Sequence, residues 1–332
     1  MALRPRRGGD LGAGTRPVPT SQCCSSARTS RRRSARWCSR PSARCSSPPI
    51  HKEAIAMNTD PLREITEEDV RRYDEDGVVL LKGMFDEAWL KHLNEQIEVD
   101  IAHPGPLHAE LEEDGQPGRF FFDTFMWTYN AAFKQFVFDS PAARIAARMM
   151  RANKVNIFYD QLLIKEPGTV KRTPWHHDMP YWPLVGWQVC TIWLALDPVT
   201  KESGAVEYVR GSHKWGIQFN PTAFAGDDRY EQGMARIPDI EAMRHSLQLI
   251  QYELEPGDCT VHHALLVHAA PGNMLAARRR RAVVTRWTGD DVRYAPKPKI
   301  QPLIRRPTIA AGSPLDSGLW PVVWSSPRHP SV

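Results

Sequence analysis

The stretch Trp175-His176-His177-Asp178-Met179-Pro180-Tyr181-Trp182-Pro183 places a histidine and a carboxylate two residues apart. On an extended backbone, residues i and i+2 point to the same face. His176 and Asp178 can therefore reach one point in space, while His177 points away. A distant histidine would complete the 2-His-1-carboxylate set that holds non-haem Fe(II) and leaves open positions on the metal. Because His-x-Asp also arises by chance, the rest of the sequence has to supply the support.

Three histidines near the C-terminal end of the chain are candidates for the third ligand. They are His262, His263 and His268, and each lies on strand-like sequence well separated from His176. The residues alone do not choose among the three.

The bulk composition indicates a globular protein. The chain has 332 residues, of which 42% are hydrophobic, so it can form one large domain or two ordinary ones. The net charge of +5 divides unevenly, because residues 1–50 contain eleven Arg and a single acid and carry +10. The remaining 282 residues therefore sum to −5. A mildly acidic body gives no reason to expect nucleic-acid binding.

The cysteines and the hydropathy pattern favour a cytoplasmic protein without a membrane anchor. Four of the six cysteines lie before residue 50, and the other two, Cys190 and Cys259, lie in strand-like sequence. No Cys-x-x-Cys pair occurs, so we expect these two to be small core residues rather than a disulfide. No apolar run approaches the roughly 20 residues that a membrane helix needs.

We expect residues 1–56 to be a disordered extension, because a segment so rich in Arg, Ser, Pro and Gly cannot bury enough surface to offset its ordering entropy. It has three interpretations: a transit peptide, a basic disordered arm, or a segment absent from the native protein. The change of composition at Met57 favours a translation start there. We expect residues 57–332 to form a single domain.

The order of the predicted elements indicates a mainly β protein with flanking helices. Thr66, followed by an acid three residues later, predicts a helix that ends at Gly77. From Lys154 onward the sequence is a series of short strands with Gly/Pro turns, typical of a β-sandwich or barrel. We expect residues 214–250 to be an insertion or lid, and residues 296–332 to be a C-terminal tail.

The combined motifs resemble the phytanoyl-CoA dioxygenase family of Fe(II)/2-oxoglutarate oxygenases. The matching pieces, in the family's order and over residues 62–295, are the His-x-Asp stretch at 175–183, Gly211-Ser212-His213-Lys214, Pro256-Gly257-Asp258, and His268 followed by an arginine before a strand. The resemblance implies a double-stranded β-helix core, which is a jelly-roll or cupin-like fold. It also implies Fe(II), 2-oxoglutarate and O2 as the reaction's cofactor and co-substrates.

Site residues are carried over from the resemblance by position. The iron ligands would be His176, Asp178 and His268. Contacts to 2-oxoglutarate would come from Arg280, Trp193 and Gln161, with Arg279 or Arg281 as the alternative if the alignment slips by one. Two departures from the family pattern are Ala270, where many members have a hydroxyl, and the lack of a clear upstream lysine.

Charge arithmetic independently favours one inward-pointing arginine. Fe(II) with one aspartate carries +1, and dianionic 2-oxoglutarate brings the site to −1. A buried unpaired charge is costly, and arginine suits the carboxylate because its planar fork binds both oxygens. Arg280 shares strand parity with Ala282 and Val284, so it can point into a barrel while its neighbours form a solvated basic run.

Aromatic residues near the motif are candidates for substrate contacts. They are Tyr181, Trp182, Phe122 and Trp215, and each could instead be ordinary core or wall. We interpret His213 as a structural turn residue, and His262 and His263 as strand residues, one of which could orient a ligand.

By resemblance, the expected reaction is oxidative decarboxylation of 2-oxoglutarate to succinate and CO2, coupled to oxidation of a C–H bond of a small molecule. Related halogenases lack the carboxylate ligand, so Asp178 favours hydroxylation or another oxidation. Two alternatives stay open: a zinc hydrolase that uses the same residues and a metal-bound hydroxide, and a non-catalytic jelly-roll binding protein.

Overall fold

A computed structural model describes residues 56–113, 115–224, 229–230 and 233–327. The predicted N-terminal extension, apart from residue 56, lies outside the described residues. So do parts of the predicted insertion at 214–250 and the last five residues of the predicted tail.

Helices precede most of the strands, as expected. Within the described part of the chain they are α1 (Glu67–Asp76), α2 (Glu87–Ala102), α3 (Ala131–Asp139) and α4 (Ala142–Met150). The Thr66 side chain accepts from the backbone N–H of Asp69, and the Asp69 carboxylate bonds back to the backbone of Thr66, so the predicted start of α1 is confirmed. Gly77 ends the helix at φ +82°, a conformation that favours glycine. None of these helices combines the length and apolarity that spanning a membrane requires.

Short antiparallel strands make up the rest of the fold. They are β1 (Val78–Leu81), β2 (Ala109–Leu111), β3 (Phe120–Thr124), β4 (Lys154–Lys165), β5 (Thr173–His176), β6 (Leu184–Val185), β7 (Val189–Ala195), β8 (Glu207–Val209), β9 (Leu249–Gln251), β10 (Cys259–His263), β11 (His268–Ala270), β12 (Arg280–Thr288), β13 (Arg293–Tyr294) and β14 (Val322–Ser325).

Two antiparallel sheets line one cavity between them. The larger sheet has the order β1-β10-β7-β12-β4-β3-β2, with β14 also paired to β4. The smaller sheet has the order β5-β11-β8-β9, and β13 pairs with β6 separately. The predicted jelly-roll fold is therefore confirmed, and strands that are distant in sequence become neighbours.

The alternation along β7 separates an outer core from the cavity. Cys190, Ile192 and Leu194 are buried in the apolar cluster that also contains side chains of all four helices. Trp193, between them, faces the opposite side and lines the cavity. This is the two-residue period of a β-strand. Cys190 and Cys259 are both buried free thiols, as expected of core residues.

The segment considered a tail packs into the domain over its described residues. Trp320 is fully buried and stacks against Phe158, with ring centroids 5.5 Å apart. β14 extends the larger sheet through β4. Gln301 reaches the cavity, where its side chain accepts hydrogen bonds from Tyr159 and Trp182.

Candidate metal centre

Three predicted ligands meet at one end of the cavity. His176 ends β5, and Asp178 follows two residues later at the entrance to a 3-10 turn. His268 begins β11 and lies directly opposite His176 in the antiparallel ladder. One ligand atom from each of the three residues lies within 4.8 Å of the others. Of the three candidate histidines, His268 is the one that completes the group.

Backbone carbonyls fix the orientation of both imidazoles. Nδ1 of His176 lies 2.8 Å from the carbonyl oxygen of Pro174, and Nδ1 of His268 lies 2.9 Å from that of Leu266. A carbonyl only accepts, so each Nδ1 donates, and each Nε2 is the ring nitrogen left to bind a metal. Two imidazoles and one carboxylate form a donor set that fits a divalent metal with open positions.

The Asp178 carboxylate is buried and remains ionised. Burial alone would raise its pKa, but the neighbouring His176, His262 and Arg286 outweigh burial and hold the pKa well below its ordinary value. The Thr191 hydroxyl donates to Oδ2 of Asp178 at 3.0 Å. Burial, followed by the neighbouring histidines, keeps the pKa of His268 well below its ordinary value, so that ring is neutral.

The remaining histidines have structural contacts. His177 points away from the centre, as predicted, and its Nε2 accepts from the backbone N–H of Phe219 at 2.9 Å. His263 also points away, with Nε2 2.9 Å from the carbonyl oxygen of Trp187. His213 lies in a 3-10 turn, 3.2 Å from the carbonyl oxygen of Asp74. His262 alone of these lines the cavity, with Nε2 3.8 Å from Oδ2 of Asp178.

The cavity next to the triad has a volume of about 400 Å³, which is in the usual range for a small-molecule site. It brings together nearly all of the predicted contact residues: Arg280, Trp193, Gln161, Tyr181, Trp182 and Phe122.

Trp215 is the exception, and the prediction that it contacts substrate is not supported. It follows the 3-10 turn at Ser212–Lys214, which brings it to the surface, where it is 38% exposed. Its ring packs edge-on against Phe219, with centroids 6.2 Å apart.

The structure separates the three neighbouring arginines. Arg279 pairs with Glu98 and Glu166, and Arg281 pairs with Asp197 at 2.7 Å. Arg280 points into the cavity instead, is 2% exposed, and lies with Cζ 5.4 Å from the ring centroid of Trp193.

Arg280 is a buried cation without a bonded carboxylate. Burial lowers its pKa to about 10, and its Nε has no hydrogen-bond partner among the described residues. Lys165 lies opposite it in the ladder and donates to the carbonyl oxygen of Pro271. Burial and the charge of Arg280 hold the pKa of Lys165 well below its ordinary value. This end of the cavity is therefore suited to an anion.

Several cavity residues were not predicted from the sequence. Arg286 donates from Nη2 to Oε1 of Gln161 at 2.7 Å and lies with Cζ 4.4 Å above the ring of Tyr159. The same strand parity that selects Arg280 also selects Arg286, six residues further on, so the signal was present. Thr191 shares the strand parity of Trp193 on β7, whereas Gln301 carried no comparable signal.

The sequence model for the family described as phytanoyl-CoA dioxygenase (PhyH) matches residues 73–282. A probable phytanoyl-CoA dioxygenase from Caenorhabditis elegans is 28% identical over 139 residues, which is 40% of this chain and 43% of that protein. The aligned part of this chain thus spans less than half of that relative.

Solved structures share the fold. The non-heme alpha ketoglutarate dependent epimerase SnoN from nogalamycin biosynthesis is 21% identical with a TM-score of 0.63, covering 78% of this chain and 98% of its own. SnoK, a carbocyclase from the same biosynthesis, is 22% identical with a TM-score of 0.64, covering 80% of this chain and 100% of its own. SnoN also has a structure in complex with Fe3+, alpha ketoglutarate and nogalamycin RO.

At these identities the structural matches establish the fold alone, whereas the sequence model covers more than half of the chain. Enzymes of the matched family use Fe(II), 2-oxoglutarate and O2, which fits the donor set at His176, Asp178 and His268. The chain belongs to the phytanoyl-CoA dioxygenase family.

Proposed function

We propose that this protein is an Fe(II)/2-oxoglutarate-dependent dioxygenase that hydroxylates a C–H bond of a small molecule and releases succinate and CO2. The observation that carries the proposal is the His176, Asp178 and His268 group, with its ligand atoms within 4.8 Å, at the wall of a cavity that also holds the buried Arg280. Bound Fe(II), together with 2-oxoglutarate and O2, supplies the oxidant.

The chain's contribution to metal binding is a set of donors that is ready before the ion arrives. The Pro174 and Leu266 carbonyls hold the rings of His176 and His268 in the tautomer that binds a metal. The neutral ring of His268 and the ionised carboxylate of Asp178 need lose no proton when a cation binds.

The role proposed for Arg280 is to bind the distal carboxylate of 2-oxoglutarate. Fe(II) and the carboxylate of Asp178 sum to +1, and the dianion brings the sum to −1. Arg280 brings it to zero, which matters because the group is buried. We assign Trp193 and Gln161 to the same co-substrate, since both line the cavity on the two strands that flank β12, the strand of Arg280.

The substrate would lie against Tyr181, Trp182 and Phe122. Segment 214–250 would cover this part of the cavity, because the Tyr181 hydroxyl donates to the carbonyl oxygen of Thr222 at 2.6 Å. The Phe224 ring lies 5.1 Å from that of His176. Such a cover would exclude water from the site during oxidation.

A zinc hydrolase would use the same three ligands, but it would leave Arg280 buried without a function. Asp178→Ala tests the proposal, with Asp197→Ala as a matched control that removes a carboxylate away from the triad. We expect the full-length Asp178→Ala protein to fold but lose CO2 release from carboxyl-labelled 2-oxoglutarate, while Asp197→Ala retains it. Turnover that survives in Asp178→Ala would contradict the assignment.

A further inference from the structure

Arg286 is a second buried cation in the cavity. It is 7% exposed, and Nη2 is bonded to Gln161. Among the described residues, Nε and Nη1 have no hydrogen-bond partner, and Nε lies 3.9 Å from Oδ2 of Asp178. A guanidinium that is this buried is normally paired, so two of its donors are available to a ligand.

Arg286 adds a positive charge that the proposed reaction centre does not balance, because Asp178, its neighbour at 3.9 Å, is already counted against Fe(II). Fe(II), Asp178, 2-oxoglutarate and Arg280 already sum to zero, so Arg286 leaves the centre at +1. Among the described residues that line the cavity next to the triad, the carboxylate of Asp178 faces two buried arginines, Arg280 and Arg286. A further anion would restore neutrality.

The two strand positions place Arg280 and Arg286 at opposite ends of the cavity. Arg280 lies opposite Lys165, whereas Arg286 lies opposite Thr191, whose hydroxyl binds Asp178. Six residues of strand separate their backbones by roughly 20 Å. If the distal end of 2-oxoglutarate extends toward Arg280, Arg286 borders the opposite side of the metal centre. Residue 286 also lies beyond the family match, which ends at residue 282.

We propose that Arg286 binds a carboxylate of the primary substrate, which is therefore an organic acid with an apolar body. This inference rests on the proposed function. The apolar body would lie against the aromatic wall next to Arg286, since Cζ lies 4.4 Å from the Tyr159 ring and 5.9 Å from the Trp182 ring. The planar guanidinium can bind both oxygens of a carboxylate.

Calorimetric titration of the full-length protein, held anaerobically with Fe(II) and 2-oxoglutarate, tests this. The probes are octanoate and octan-1-ol, which share a chain and differ in charge. We expect wild type to bind octanoate more tightly than octan-1-ol. Arg286→Met should lower the affinity for octanoate by about 10- to 100-fold, the usual range for lost charged hydrogen bonds, and leave the affinity for octan-1-ol unchanged. Arg281→Met, on the opposite face of the same strand, should match wild type.

Two results would overturn the inference. One is a wild-type protein that binds octanoate no more tightly than octan-1-ol. The other is an Arg286→Met protein that binds octanoate as tightly as wild type but no longer binds 2-oxoglutarate, which would assign Arg286 to the co-substrate. If Arg286→Met does not fold, Arg286→Lys keeps the charge without the fork, and its octanoate affinity should fall below that of wild type; an unchanged affinity would contradict the inference.

Failure of the proposed function would look different. Wild type would then show no heat of 2-oxoglutarate binding, while the comparison of octanoate with octan-1-ol would still decide the role of Arg286.

Discussion

Replacing Arg280 with methionine should weaken 2-oxoglutarate binding by about two orders of magnitude without harming the fold. A buried hydrogen bond to a charged group contributes about 1.5–3 kcal/mol, and a carboxylate held by both oxygens makes two of them. At the lower value the loss is about 3 kcal/mol, which raises the Kd about 150-fold. Since burial lowers the pKa of Arg280 to about 10, the charged form is disfavoured, and its removal should not destabilise the free protein.

The assay is thermal unfolding with and without 2-oxoglutarate, with a redox-inert divalent metal bound. At a ligand concentration 100 times the wild-type Kd, binding stabilises the native state by about 2.7 kcal/mol. A 150-fold weaker site would retain only about 0.3 kcal/mol at the same concentration. The ligand-induced rise in Tm should therefore nearly vanish in Arg280→Met.

Arg281→Met is the control, because Arg281 is the next residue on the strand and pairs outward with Asp197. It should keep the full 2-oxoglutarate response. The reasoning is refuted if Arg281→Met loses the response as fully as Arg280→Met, or if Arg280→Met binds 2-oxoglutarate like wild type.

Three further predictions concern the metal, pH and the C-terminal segment. Thr191→Val removes the hydroxyl that donates to Asp178, and metal affinity measured by competitive chelation should fall about tenfold; an unchanged affinity would show that the bond does not orient the carboxylate. Burial raises the pKa of Asp160 to about 8, so the stability provided by its neutral form is complete below the ordinary aspartate pKa and is lost as pH rises through about 8. In Asp160→Asn the free energy of unfolding, measured with urea at several pH values, should therefore decline less with rising pH. A pH profile identical to that of wild type would contradict this assignment. Trp320→Ala should cost about 3–5 kcal/mol in the same assay, because the ring is fully buried; a cost near zero would mean that this segment is not part of the core.

Local rules predicted the parts of the fold that depend on neighbouring residues. The start of α1 at Thr66 and its end at Gly77 could be predicted from the sequence, because both depend on contacts within one or two turns. Strand parity placed Arg280 on the cavity side, since a pleated strand alternates without exception unless it bulges. The choice of His268 over its neighbours came from resemblance, and the β5–β11 pairing supplies its geometric reason.

Residues that depend on long-range packing were not predictable in the same way. Gln301 reaches the cavity only because the chain after β13 folds back over Tyr159 and Trp182. Helix α3 was not predicted, although Phe133 and Phe136 have helical spacing, because aromatic residues favour strands equally well. Trp215 was misassigned since a single turn decides whether an aromatic side chain faces the cavity or the surface.

The measurement that tests the central claim most directly is an anaerobic absorption spectrum of the full-length protein with Fe(II), before and after addition of 2-oxoglutarate. The account predicts a weak visible metal-to-ligand charge-transfer band that appears only with both components and is absent in His268→Ala. A folded, iron-loaded protein that shows no such band would contradict the account and favour the zinc hydrolase.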